Sequence, residues 1–138
     1  MPDLELIVQY LRGPVSGNDA IDLVKTIRKD DAYNPNFNVL IDFRDITLDW
    51  EIKQVKDSLA EFIHFINENP DLMSNKKLSI LFSKPNQAVL SILLRENYSA
   101  FPISTGLYST LEVALDNLNI SKKNVQSVNE EIEKFKIR

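Results

Sequence analysis

The 138-residue chain has no cysteine, one histidine, one tryptophan and three glycines. Each scarcity closes a class of chemistry. Without cysteine there is no disulfide scaffold, no thiolate nucleophile and no thiolate zinc site, and a lone His64 excludes any site needing two imidazoles. Glycines at positions 13, 17 and 106 cannot supply a phosphate-cradling loop, and there is no G-x-S-x-G elbow, so a nucleotide-dependent enzyme is not expected. No apolar run approaches the ~18 residues that span a bilayer. The opening Met1-Pro2-Asp3-Leu4-Glu5 lacks the basic start and apolar stretch of a secretory signal, so a cytoplasmic protein without a transmembrane segment is expected. A formal charge of −4, a pI near 5.0 and no basic run longer than Lys122-Lys123 argue against a nucleic-acid partner, which needs clustered cations to displace counterions from phosphates.

What is present is ordinary globular composition, 43% hydrophobic and 26% charged, at the length of one domain. Such a chain buries enough surface to fold without a metal or cofactor, and none is expected.

The pattern along the chain alternates between two periods. Leu4 to Arg12 is rich in β-formers and ends at Gly13-Pro14, which reads as a strand closing into a turn. Ser16 and Asp19 form a variant capping box, after which Ala20, Ile21, Val24 and Ile27 recur at helical spacing to about Asp30. Val39 to Phe43 is a short apolar run of the kind found in a strand covered on both faces. From Trp50 to Asn67, Ile52, Val55, Leu59, Phe62, Ile63 and Ile66 share one stripe of a long helix. Leu78 to Phe82 reads as a third strand. Ser83 and Pro85 then open a helix to about Asn97. Phe101-Pro102-Ile103 is a fourth strand, placed at a sheet edge because its proline has no N–H for a ladder. Ser109-Thr110-Leu111-Glu112 reads as a capping box with Tyr108 and Val113 as a hydrophobic staple, and Leu111, Ala114, Leu115 and Leu118 face inward. Val125, Val128, Ile132 and Phe135 mark a last amphipathic helix.

The expected fold is therefore α/β, a four-stranded, mostly parallel open sheet with helices on its faces and a C-terminal helix. The expected division is residues 1–120 for the α/β domain and 121–138 for the helical extension. The extension either packs on its own core or forms a homodimer through Val125, Val128, Ile132 and Phe135.

In a parallel sheet the default site lies beyond the carboxyl ends of the strands. That rim would gather Ser16, Arg44, Thr47, Trp50, Ser83, Lys84 and Thr105, whose hydroxyls and cations beside helix N-termini suit an anion. Asp42, Asp45 and Asp49 could serve a metal, but Arg44 stands among them as an ion-pair partner and Asp49 stands where a cap is needed, so neither a metal site nor a catalytic residue is expected. His64, flanked by Glu61 and Glu68 at helical spacing, reads as a solvated imidazole.

Three segments, LIVQYLRGPVSGNDAIDLVKTI, NVLIDFRDITLDWEIKQV and FPISTGLYSTLEVALDNLNI, together resemble the STAS group, which includes the anti-sigma-factor antagonists of the stage II sporulation type. The likeness covers about residues 4 to 120. In the phosphorylated antagonists the second strand leads to Asp-Ser-Ser-Gly, where the target serine sits. The matching stretch here is Asp49-Trp50-Glu51-Ile52, which keeps the acid and lacks the serine and glycine. Lys84-Pro85 after a strand imitates a step of receiver domains, yet Arg12-Gly13 stands where a receiver carries an acidic pair.

What the resemblance implies is a non-enzymatic regulatory or protein-interaction module without the phosphorylatable serine. The alternative is a binder of a small anion or a lipid head group at the strand-end rim.

Overall fold

The computed structural model describes residues 1–47, 52–73, 76–83, 92 and 104–137. Within them, a single 3₁₀ turn Pro2–Leu4 precedes β1 (Leu6–Pro14), α1 (Gly17–Ile27), β2 (Asn38–Thr47), α2 (Ile52–Glu68), a 3₁₀ turn Pro70–Met73 and β3 (Lys77–Leu81). β4 (Ser104–Tyr108), α3 (Leu111–Asn117), a 3₁₀ turn Lys122–Asn124 and α4 (Val125–Ile137) complete the order. The expected strand Phe101–Ile103 and most of the expected helix over 83–97 lie outside the described residues; β4 begins at Ser104.

All three pairings are parallel and the order is β1-β2-β3-β4, so the fold is α/β with a four-stranded parallel sheet and four described α-helices. β4 is an edge strand, and Pro102, on which the expected edge position rested, lies outside the described residues. Parallel neighbours joined by crossovers of one hand send their connecting helices to one face. Accordingly α1 and α2 share a face: Leu59 and Ile66 are buried there, with Leu23, Phe62 and Ile63 packed around Val39, Ile41, Leu78 and Ile80. The chain after β4 covers the other face, where Leu111, Ala114 and Leu115 of α3, its C-cap Leu118, and Val128 and Ile132 of α4 pack on Leu6, Leu40 and Leu81. Alternate residues of the central strands thus serve opposite cores, which is why these runs are apolar throughout.

Local chemistry sets the helix ends. Ser16 caps α1 as expected, its hydroxyl accepting from the Asp19 N–H while the Asp19 carboxylate accepts from the Ser16 N–H. At α3 the cap is Thr110, one residue later than the pattern indicated; its hydroxyl accepts from the Val113 N–H. Glu112 then falls one position short of a capping box, and Val113 is 52% exposed instead of stapled to Tyr108. α3 ends in a Schellman motif, with Ile120 N–H donating to Leu115 C=O, Asn119 N–H to Asp116 C=O, and Asn119 at φ 61°. The tip of the Tyr108 ring lies over Gly106 where a Cβ would stand, so a larger residue there would displace that side chain.

Among the described residues no helix is long and apolar enough to cross a membrane.

Candidate functional site

β2 carries one more residue than β1 where the two strands run together: Tyr10 pairs with Asp42 but Arg12 with Asp45. Such a bulge reverses the alternation of side chains beyond it. Leu40 and Asp42 precede the bulge on the α3/α4 face, and past it Ile46 belongs to the opposite core. Asp45 is thereby brought to the side of Tyr10 and meets Lys136 of α4, and Arg44 feels the charge of Glu133.

The fully buried Asp42 accepts from Arg44 three times, from its N–H at 3.0 Å, from Nε at 3.0 Å and from Nη2 at 2.8 Å. This carboxylate raises the guanidinium above its ordinary pKa. The Tyr10 hydroxyl donates to Asp45 at 2.5 Å, and Lys136 of α4 stands 3.6 Å from the same carboxylate and 3.0 Å from Glu133. Burial, and then the Asp45 contact, push Tyr10 up to about 12. Lys136 is raised through Glu133, and its carbonyl accepts from Arg12 at 3.0 Å. The cluster is a set of mutually satisfied charges that ties α4 to the ends of β1 and β2. Among the described residues no group of acids and histidines could hold a metal ion, and Asp49 lies outside them.

Five of the seven expected rim residues are described, and one of these, Thr105, lies apart from the other four. Ser16 is engaged in its cap, Arg44 is held by Asp42, Thr47 ends β2, and exposed Ser83 follows β3. Thr105 pairs in register with Leu78, which pairs with Val39, so it lies at the amino ends of the strands, away from the others. The cause is the start of β4: a strand beginning at Ser104 puts Ser109 and Thr110 at its carboxyl end. Trp50 and Lys84 lie outside the described residues, as do residues 49–51 of the antagonist-like stretch. The strand order 1-2-3-4 shows no reversal among the described strands, and the usual ligand crevice forms at such a reversal. His64 is exposed and 3.1 Å from Glu68, as its spacing indicated.

A concavity lies along the outer edge of β1. This groove of about 410 Å³ is walled by Leu23, Ile27 and Phe37 on the α1 side and by Val8, Tyr10 and Phe135 on the α4 side. Phe135 is 43% exposed at its lip. The Asn38 N–H donates to the Glu5 carbonyl across to β2, so residues of that parity turn their backbone groups inward. Leu6, Val8 and Tyr10 then point theirs outward. Leu6 is closed by Met1, whose carbonyl accepts from the Leu6 N–H and whose amine donates to the Leu6 carbonyl. Val8 and Tyr10 leave a strand edge facing the groove. The uncharged run from Leu6 to Leu11 is the one trace of this edge in the sequence, and it does not distinguish an outer strand from a central one.

Compared with known proteins, the chain matches no family model, no curated protein and no solved structure.

Proposed function

We propose that this chain is a non-enzymatic, cytoplasmic regulatory module of the STAS-like kind, without the antagonist serine, which binds a protein partner through the free edge of β1. The supporting observation is the groove along that edge. An extended segment laid there gains hydrogen bonds from the outward groups of Val8 and Tyr10, and its alternate side chains find apolar walls on both sides. Leu6 to Leu11 carries no charge, proline or glycine, the usual devices that protect an edge from pairing. Only the Leu6 end is closed, by Met1. The partner segment is therefore an extended strand with apolar residues on both of its faces.

An anion or lipid head group at the strand-end rim has less behind it. Arg44 is neutralised by Asp42, and the Ser16 hydroxyl serves its own helix.

The test is affinity capture with three variants of the full chain. Val8→Pro removes an outward N–H, Phe135→Glu charges the lip, and Val113→Glu alters an exposed apolar residue on α3. Proteins captured by the wild type are expected to be lost with the first two and kept with the third. Retention by both groove variants, each with a melting temperature near wild type, would refute the edge as the contact.

A further inference from the structure

Along the outer edge of β1, Val8 and Tyr10 turn backbone groups toward the groove, while those of Leu6 are engaged by Met1. The two residues stand either side of Gln9, and that spacing is complementary to itself. Two copies of β1 laid antiparallel about a two-fold axis through Gln9 bring Val8 of each opposite Tyr10 of the other. Each such pair exchanges both of its hydrogen bonds, so the outward groups of both residues are met. An axis through Val8 would instead set Tyr10 opposite the engaged Leu6. On the Gln9 axis the two amides face each other, and an amide carries both the donor and the acceptor that its twin needs.

Charge favours the same arrangement. Exposed Asp3 and Glu5 stand at the amino end of β1, where Asp30 also lines the groove, and exposed Arg12 stands at the carboxyl end. Antiparallel pairing about Gln9 brings Arg12 of one copy beside Glu5 and Asp3 of the other. Parallel pairing would set like charges together, and an axis moved toward Leu11 would bring the two Arg12 side chains close. β1 also has the composition that the groove requires, since Ile7 and Leu11 pack on one side of the sheet and Val8 and Tyr10 on the other.

We propose that the segment held at the β1 edge is the β1 edge of a second copy of this chain, giving a two-fold dimer with one continuous sheet. This rests on the edge contact proposed above and names its partner. A short edge makes a weak dimer, with a dissociation constant on the order of 10–100 µM.

Sedimentation of the full chain from about 5 to about 500 µM tests it, with a concentration-dependent dimer expected. Val8→Pro removes an outward N–H at a position where an edge strand tolerates proline, and should weaken the dimer about tenfold or more. Because the chain has no cysteine, single thiols then report the register. Gln9→Cys places two thiols on the axis in a non-hydrogen-bonded pair, with Cα atoms about 4.5 Å apart, and should cross-link on oxidation. Ile7→Cys faces Leu11 of the other copy, too far from its own twin for a disulfide, and should not. A chain that stays monomeric through about 500 µM overturns the second copy as occupant, whereas the edge contact itself is judged separately by the capture variants. A dimer undiminished in folded Val8→Pro, or Ile7→Cys cross-linking as readily as Gln9→Cys, also overturns the proposal. Should Val8→Pro not fold, the two thiol variants decide it.

Discussion

Asp42 and Arg44 form a pair whose two halves are unequally placed. Asp42 is fully buried, whereas the Arg44 side chain is 22% exposed. Replacing Arg44 by Met strands a carboxylate away from water and should destabilise the fold by about 3–5 kcal/mol. Asp42→Ala leaves a guanidinium that can still reach solvent, and should cost less, about 1–3 kcal/mol; urea denaturation of both variants gives the order. Tyr10 offers a spectroscopic check. Ultraviolet titration of the four tyrosines should contain one phenol near pH 12, and Asp45→Asn should bring it down, while the separately raised, desolvated Tyr33 stays where it is. The sign follows from protonation. Tyr10 holds its proton more tightly folded than unfolded, so its contribution is whole below its ordinary pKa near 10 and is lost as pH rises from there through about 12. None of this was legible beyond the presence of Arg44 beside two acids. Which acid it binds depends on a bulge in β2, and the bulge exists only in the pairing with β1.

At the scale of elements, caps and faces were legible while boundaries were not. Ser109 and Thr110 are adjacent hydroxyls, and Ser109 has the box spacing to Glu112. The Phe82 N–H donates to the Tyr108 carbonyl, which holds the chain on the sheet through Tyr108 and leaves two residues for the turn, so Thr110 becomes the cap. Thr110→Ala should cost about 1 kcal/mol and Ser109→Ala less than about 0.5 kcal/mol in thermal or urea unfolding. The other end of α3 depends on a residue with no helical signature. Ser79, fully buried in β3, donates to the Ala114 carbonyl at 2.8 Å and accepts from Asn117 Nδ2 at 3.1 Å. Ser79→Ala leaves both groups unpaired and should destabilise by about 1–3 kcal/mol.

For the whole molecule, the decisive finding is where α4 docks. The inward pair Val128 and Ile132 is entirely buried against Leu6, Leu40 and Leu81, so these side chains are used within the chain and only Phe135 of the four-residue stripe is exposed. Ile132→Ala should cost about 2–5 kcal/mol, whereas Phe135→Ala should stay within about 0.5 kcal/mol. A chain ending at Ser121 would uncover that core face and should lose most of its stability, readable as a collapse of the melting transition.

The order of residues alone determined the kinds and faces of the elements. Apolar periods of two and 3.6, Gly13-Pro14, and the hydroxyl caps are local properties, and they specified an α/β fold with a closing helix. The missing cysteines and glycine loops excluded whole chemistries just as locally. Only the tertiary structure decided which strands are neighbours, which edge stays open, where β2 gains its extra residue and that Thr105 lies at the far end of the sheet from Ser83. Those outcomes rest on register and on pairing between segments far apart in the chain, and a shift of one residue exchanges one face for the other without any local signal.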